Sequence, residues 1–458
     1  QRGIFTSSCG IRVLFDYGGC TSNLPGTLWA DATTEPLRAP ATRTVGWADF
    51  DGTGSPDLFL AAIDSAEALL ENTAGLFTDV TPPSVRDSLL AIAASWADID
   101  RDADPDLCVV NFGSRVLLYR NDGGSFTEIA GGALTESAGV NEAAWADYDR
   151  DGDLDVFLAR TRRALDLLIR NDGESGFVDA TPGELPDSLD SRDACWADFD
   201  GDGDPDLLIV NLGVCRLLRN DGGSFSPQPL PAIGETGSWG SASWADYDDD
   251  GDLDLYLTCL GMPGGRLFRN DGAAGFADAT TSPLDDTARA AAWGDYDNDG
   301  DLDLYLVKSQ GRNRLLRNEE DGFRDVAEYP MQDGGVGMGV GWADHDADGD
   351  LDLYITNDSG WNRLLRNHAA GSNHWLQVVL AGTESNRQGI GARVRVVAGG
   401  RAQVREVGGD TGIGSQNWVV AHFGLGAAST VDTLTIVWPS GIVQTEIPGF
   451  AADRRIIV

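Results

Sequence analysis

The sequence predicts an all-β chain: a seven-bladed β-propeller of four-stranded blades, followed by a small, sandwich-like C-terminal β-domain. Three observations carry this. The string Trp-Ala/Gly-Asp-x-Asp recurs from Trp47, Trp96, Trp145, Trp196, Trp244, Trp293 and Trp342. The first aspartates, Asp49, Asp98, Asp147, Asp198, Asp246, Asp295 and Asp344, are separated by 49, 49, 51, 48, 49 and 49 residues. Each unit reads as four short strands joined by turns, the sequence form of a propeller blade, and none has a helical period.

Within a unit, an apolar strand ending in the tryptophan enters an acidic loop. A second strand leaves it, as in DLFLAA, DLCVVN, DVFLAR, DLLIVN, DLYLTC, DLYLVK and DLYITN. A third follows with the form LLxRN, and an Asp-Gly or Gly-Gly turn leads to a fourth, such as GFVDAT or GFADAT. Near the N-terminus, RVLFDYGG (12–19) resembles a third strand and TLWADATTE (27–35) a fourth. Lacking an acidic loop, they are expected to complete the blade begun near Trp342, closing the ring and removing open sheet edges. The propeller then spans residues 1–367. HAAGSN (368–373) is a small-residue joint. Residues 373–458, with ARVRVVA, AQVREV and TLTIVW, read as a compact β-unit in which Trp438-Pro439-Ser440-Gly441 turns between two strands.

Composition bounds the function. The formal net charge is -40, with 42% hydrophobic residues and 13 Trp, so the chain is acidic yet able to build a core. A polyanion of this kind repels nucleic acid and an anionic membrane surface, and invites a cation. No apolar run is long enough to span a membrane. Lys308 is the sole lysine, a bias given no functional weight. The 6 cysteines show no metal-type spacing; Cys9 and Cys20 bracket a short segment and can pair, whereas Cys108 and Cys259 lie on apolar strands.

The acidic loops carry the chemistry. Asp147, Asp149, Asp151 and Asp155 stand at positions one, three, five and nine, with Gly152 at six for a sharp turn. Hard cations that accept many oxygens suit this pattern, and calcium suits it best. An EF-hand would need a later glutamate and flanking helices, magnesium demands strict octahedral geometry, and zinc wants His or Cys. The same positions hold Asp198, Asp200, Asp202 and Asp206; Asp246, Asp248, Asp250 and Asp254; Asp295, Asp297, Asp299 and Asp303; and Asp344, Asp346, Asp348 and Asp352. These five loops keep every element, including the glycine. The loop of Asp98, Asp100, Asp102 and Asp106 has Ala103 in place of glycine, which predicts weaker binding. That of Asp49, Asp51 and Asp57 has Thr53 at position five and Ser55 at seven, which leaves room for an empty site. The loops hold 34 of the 73 acidic residues, and seven divalent ions would bring -40 to -26.

On these residues the repeats resemble FG-GAP/VCBS repeats, the calcium-binding blades of integrin-like propellers. NHWLQVVLAG, SNRQGIGARVRV, GSQNWVVAHFGLG and VDTLTIVWPSG resemble the ASPIC/UnbV domain. The resemblance is to the cartilage acidic protein and UnbV-like family. It implies calcium ligation by positions one, three, five and nine, an extracellular matrix or adhesion role for animal members, and an association of UnbV-type proteins with enediyne biosynthesis.

Of the 4 histidines, His345 occupies position two of a loop, where its side chain is expected to point away from the ion. His374, His422 and Arg393 near the domain junction are the candidate catalytic residues, against a structural role for each. No GxSxG, HExxH or Cys-His pair is present. The tryptophans are expected to pack between blades, and Arg120, Arg170, Arg219, Arg269, Arg317 and Arg366 to offset carboxylates. Asn357-Asp-Ser359 is a glycosylation sequon that also fits the repeat. Two functions follow as expectations. The first is a secreted (extracellular or periplasmic) calcium-stabilised binding or adhesion module for a protein or glycan. The second is a calcium-dependent enzyme of natural-product biosynthesis, a Lewis-acid cyclase or isomerase acting on a small molecule.

Overall fold

The computed structural model describes residues 4–6, 12–14, 28–39, 41–62, 66–86, 89–161, 164–183, 185, 189–230, 237–261, 264–332, 334–368, 373–408, 414–446 and 449–458. Among them every regular element is a strand, apart from the single 3-10 turns Gly173–Ser175 and Gly272–Ala274.

One antiparallel order repeats through seven blades. In blade three, Val140–Ala146, Asp155–Arg160, Leu167–Asn171 and Phe177–Asp179 pair in sequence. The first strands of the other blades are Thr42–Ala48, Ala91–Ala97, Ser191–Ala197, Gly237–Ala245, Ala290–Gly294 and Gly337–Ala343. Each lies beside the first strand of the next blade, and Gly337–Ala343 lies beside Thr42–Ala48, so the seven close around a central channel. These inner strands are rich in Ala and Gly because the blades converge there. A Cβ on Gly46 would come within 3.0 Å of the Trp96 ring, and one on Gly341 within 2.9 Å of Trp47. The recurring tryptophans fill the wedges between blades. Trp196 Nε1 donates to Ala144 O at 3.1 Å, and Trp96 stacks on Phe50 of the blade before it and meets Phe59 edge-on.

A second device joins the blades. Every third strand carries, within one residue of its end, an asparagine whose side-chain amide reaches back to the preceding blade. Asn72, Asn121, Asn171, Asn220, Asn270, Asn318 and Asn367 donate to the carbonyls of His345, Phe50, Ile99, Tyr148, Phe199, Tyr247 and Tyr296, at 2.6 to 2.9 Å. Each acceptor is position two of an acidic loop. The Asn72–His345 bond spans the point where the ring closes.

Closure also uses the N-terminus, though not as expected for both segments. Trp29–Asp31 pairs with Arg363–Asn367 as the outer strand of blade seven. The third strand of that blade is Arg363–Asn367 itself, so RVLFDYGG has no place in it. Arg12–Leu14 instead pairs with Ile4–Thr6 in a separate two-stranded sheet. Cys9 and Cys20, the expected pair, lie outside the described residues.

The C-terminal strands form two facing sheets. His374–Val379 lies between Ala421–Gly426 and the parallel strand Arg454–Ile457. Arg401–Glu406, Arg393–Ala398, Thr433–Val437 and Val443–Glu446 form the other. Leu376, Val378 and Phe423 from the first pack on Val394, Leu434 and Ile436 from the second, a sandwich core. Trp438 to Gly441 make the hairpin turn, with Gly441 N–H donating to Trp438 O at 2.8 Å.

Each acidic loop needs two left-handed residues, at positions four and six. At position four these are Gly52, Arg101, Arg150, Gly201, Asp249, Asn298 and Ala347, with φ between 57° and 73°. Position six is glycine in six loops; in the second, Ala103 takes φ 82°, where a Cβ is strained.

Two outcomes are expected. Asn220→Ala strands the buried carbonyls of Tyr148 and Pro205 and the Gly223 N–H, and should lower stability in chemical denaturation by about 3 kcal/mol at saturating metal. Ala103→Gly removes the strain and should raise stability by about 1 kcal/mol in the same measurement; a loss instead would mean that the alanine methyl is accommodated.

Candidate metal centres

The loop begins at the end of the inner strand, so its position-one aspartate leaves the strand already buried in six loops, and half-buried at Asp49. One oxygen of that carboxylate accepts the position-six N–H, as in Gly54 to Asp49 (2.8 Å), Ala103 to Asp98 (2.9 Å), Gly152 to Asp147 (3.1 Å) and Gly300 to Asp295 (3.0 Å). The position-five carboxylate caps the N–H of position seven, as in Asp153 to Asp151 and Asp252 to Asp250, both at 2.9 Å. The position-nine aspartate, first residue of the second strand, takes two backbone donors in five loops, and in Asp155 and Asp303 one donor with Oδ2 left unpartnered. Asp57 accepts Phe50 N–H (3.2 Å) and Asn72 N–H (2.7 Å); Asp106 accepts Ile99 and Asn121; Asp206 accepts Phe199 and Asn220.

These bonds curl positions one, three and nine together. Asp49, Asp51 and Asp57 place one carboxylate oxygen each within 4.8 Å of one another. So do Asp98, Asp100 and Asp106; Asp147, Asp149 and Asp155; and Asp198, Asp200 and Asp206. The position-five aspartates, Asp102, Asp151 and Asp202, are outside these triads. Their relatives Asp299 and Asp348, with Asp202, instead meet the arginine that ends the third strand: Arg317, Arg366 and Arg219. Arg120, Arg170 and Arg269 pair with the turn aspartates Asp122, Asp172 and Asp271.

A cation fits what the triads leave over. Oδ1 of Asp49, Asp147, Asp149, Asp198, Asp297 and Asp346, and both oxygens of Asp246, are buried without a hydrogen-bond partner, while Asp346 Oδ2 pairs with Arg366 at 2.6 Å. Burial, reinforced by the neighbouring carboxylates, pushes Asp57, Asp106 and Asp254 up to about 8 and Asp155 and Asp206 up to about 9. Asp147 and Asp246 rise to about 7 and Asp295 to about 8 for the same reason. Such oxygen-only clusters are paired by protons or by a hard cation.

Blade seven departs from the pattern. The His345 ring turns inward rather than away: its Nδ1 lies 2.5 Å from Asp352 Oδ2, and it stacks on Phe77. His345 there groups with Asp346 and Asp352, each offering one ligand atom within 4.8 Å of the others. The imidazole can turn in because position two faces the wedge between blades seven and one, and a buried carboxylate waits there. Asp352 and Asp346 hold its pKa up against the effect of burial.

The C-terminal sheets sit over the loop face. Position-four side chains meet them: Arg101 donates to Glu384 O, Asp249 accepts from Arg401, and Asn298 Oδ1 lies 2.7 Å from His422 Nε2. Backbone donors at the strand ends are capped from above. Gln388 accepts from Asp98 N–H, Gln416 from Trp96, Asn417 from Trp342 and Glu406 from Asp198. Gln377 and Gly424 donate to the position-one carboxylates Asp344 and Asp295. Between the two layers lies a cavity of about 190 Å³. Its wall includes Trp196, Trp244 and Trp418, the carboxylates Asp147, Asp198, Asp246 and Asp295, and Arg405, Glu406 and His422.

The candidate catalytic residues do not assemble. His422 lines the cavity, but burial and then Arg405 push it down to about 3, leaving it neutral. His374 pairs with Asp453 at the far edge (2.7 Å), and Arg393 donates to Gly251 O (2.7 Å) and faces Asp198 at 3.9 Å. Neither is among the cavity-lining residues. Asn357 is fully buried with its amide donating to Trp361 O, so the sequon presents no free acceptor. Cys108, Cys195, Cys215 and Cys259 are buried and form no disulfide among the described residues. Sequence reasoning missed the asparagine ring, although each LLxRN copy ends in that residue. It also missed Gln388, Glu406 and Gln416, which occur once and carry no repeat signal.

A family model for the FG-GAP-like repeat matches residues 49–109, 98–158, 147–209, 198–257 and 295–355, which take in all seven loops. A model for the ASPIC and UnbV domain matches 382–458. No curated protein sequence matches the chain. Among solved structures, BBS1N in complex with ARL6DN is similar at 16% identity and a TM-score of 0.50, over 74% of this chain and 97% of that one. An Agrocybe aegerita lectin, described for specific recognition of non-reducing terminal N-acetylglucosamine, is 18% identical with a TM-score of 0.47, over 70% of this chain and 86% of its own. These identities speak to fold alone. The repeat matches cover more than half of the sequence and the C-terminal match adjoins them: the chain belongs to the FG-GAP-like repeat proteins that carry an ASPIC and UnbV domain.

Proposed function

We propose that this is a secreted calcium-binding protein, an extracellular binding module whose loops hold calcium as a structural ion. The observation that carries the reading is the triad at positions one, three and nine, with unpartnered buried oxygens aimed at one point. When bound, calcium supplies charge compensation to these carboxylates. The position-nine aspartate then holds two backbone amides while ionised, and the loop positions the blade edge.

The surface left for a partner supports a binding role. The loop face is covered by the C-terminal sheets, which leaves the opposite end of the ring. There the turns and blade connections expose Leu90, Phe112, Leu165, Leu189, Val214 and Trp361, each at least 38% accessible. Large apolar side chains gathered at one end of a soluble domain favour association with a protein or a glycan's apolar face.

The cavity favours a second reading. Four position-one carboxylates, Asp147, Asp198, Asp246 and Asp295, reach an enclosed, largely apolar space beside Glu406 and Arg405. A calcium-dependent enzyme of natural-product biosynthesis would need such a place, with Arg405 and the tryptophans orienting a small substrate and excluding water. The two readings part on one measurement, a calcium-loaded crystal structure showing waters. Ions enclosed by their own loops keep calcium structural; an ion at Asp198 or Asp246 presenting two exchangeable waters to the cavity favours the enzyme.

Calcium removal tests the first reading directly. Each filled site stabilises the fold by about 2.7 kcal/mol when free calcium is a hundredfold above its Kd. Chelator should therefore lower Tm by many degrees, and calcium should restore it where magnesium does not. A melting temperature indifferent to chelator would sink the proposal. The pH dependence has a definite sign. Position-nine carboxylates are pushed up to about 8 or 9 in the fold against about 4 unfolded. The folded chain therefore binds more protons in that window, and the chelated protein should lose stability as pH rises from 5 to 8. Calcium should flatten that slope.

A further inference from the structure

The far end of the central channel carries a second charged cluster, of opposite sign. Four residues before the recurring tryptophans, the inner strands carry Arg43, Ile92, Asn141, Arg192, Gly240, Arg289 and Met338. Around this position the pairing with the second strand slips in six blades, for example between Thr42 and Thr44 and between Ser191 and Asp193. In blade six the Arg289 N–H bonds Val307 O, although Val307 pairs with Ala290. Bulges of this kind re-aim a side chain out of the strand's alternation.

Blades one, four and six are three, two and two steps apart around the ring of seven, so the three arginines approach the axis from different sides. Their inner strands are not neighbours, and their guanidinium groups meet only across the channel. They are within electrostatic reach of one another there: burial lowers Arg43 as a cation, Asp358 opposing and Arg192 reinforcing it, and burial, Arg43 and Arg192 lower Arg289 to about 10. Asp358 and Glu142 are the acids within electrostatic reach. Asp358 is exposed, and Glu142 Oε1 accepts from Ala143 N–H. Among the described residues none of the three guanidinium groups makes a hydrogen bond or ion pair, and the Nε of each is buried without a partner.

The acidic end of the channel is stopped above them. Gln416 exchanges backbone bonds with Val45 and Trp47, and Trp418 N–H donates to Trp342 O. A Cβ on Gly414 would touch Ala93 and Thr44, one residue along from the arginine level. The cations therefore share their level with the neutral positions Ile92, Asn141, Gly240 and Met338, with Glu142 one residue along, in a space closed toward the loops.

We propose that Arg43, Arg192 and Arg289 form a binding site for a tetrahedral oxyanion, a phosphate or sulfate group, on the propeller axis. Three planar donor forks from three sides match three oxygens of a tetrahedron, and the fourth oxygen points away from the plug. A carboxylate, with two coplanar oxygens, satisfies at most two forks. A dianion also offsets the mutual repulsion of three confined cations.

The test is calorimetric titration of the calcium-loaded protein with sodium sulfate at constant ionic strength, with inorganic phosphate, phenyl phosphate and acetate as parallel arms. Sulfate and phosphate should bind, and acetate at least tenfold more weakly. Phenyl phosphate binding as well as phosphate identifies an ester group as the occupant; its rejection identifies the free ion. Arg289→Met should weaken sulfate binding at least tenfold, and Arg43→Met with Arg289→Met should abolish it. Both variants should keep their calcium content and, without oxyanion, melt no lower than the parent, because like charges have been removed. Absence of sulfate and phosphate binding in the parent, or unchanged binding in Arg289→Met, overturns the site. Neither result depends on whether calcium is structural or catalytic.

Discussion

The position-nine aspartate is the residue on which the ring depends. Asp57, Asp106, Asp206, Asp254 and Asp352 spend both oxygens on backbone amides, that of position two in the same loop and that of the asparagine near the end of the third strand. Asp155 and Asp303 hold the asparagine amide alone and leave Oδ2 unpartnered. The same asparagine reaches back to the position-two carbonyl of the preceding blade. Loop, third strand and neighbouring blade thus converge on one buried carboxylate. Its burial makes it a poor anion unless something positive is near. A dication held beside it, as proposed, would stabilise a loop and a blade interface at once.

That coupling explains why the loops can vary without the fold varying. Thr53 replaces the position-five carboxylate in the first loop, yet Asp49, Asp51 and Asp57 gather as in the other triads. Ala103 takes the conformation a glycine would, with its N–H still on Asp98. In the seventh loop His345 occupies a donor's place on Asp352, so a ring nitrogen serves where a cation would. What each copy must keep is the aspartate at nine and the asparagine near the end of the third strand; the remaining ligands tune affinity.

Repetition made the fold legible. Seven units at nearly constant spacing and the four-strand pattern give blade number and order, and the acids at one, three, five and nine give the loop. Local pattern also places the tryptophans between blades. What repetition does not encode stayed hidden. Arg12–Leu14 resembles a third strand, but blade seven already has one in Arg363–Asn367, and a sheet position is filled once. The inward turn of His345 depends on the wedge beside it, which the sequence does not describe. Asn357 fits a sequon, yet as the end of a buried inner strand pair its amide is spent on Trp361 O. The docking of the C-terminal sheets rests on residues that occur once, such as Gln388, Glu406 and Gln416.

That docking changes what the acidic face is. Arg393, Arg401, Arg405 and Arg455 come down onto loops holding 34 of the chain's 73 acids, so the cap is itself a set of cations for the ring. Gln377 donates to Asp344 and Gly424 donates to Asp295, both position-one carboxylates. A ligand carboxylate that also anchors the cap ties two equilibria together: whatever metal does to that aspartate it does to the seating of the cap, and the reverse holds with equal free energy. The ring's inner charge therefore runs in one direction, acids met by the arginines of the cap at one end and three unpaired arginines at the other. A channel polarised in this way, and plugged between its poles by Gln416 and Trp418, has two separate addresses for ions of opposite sign.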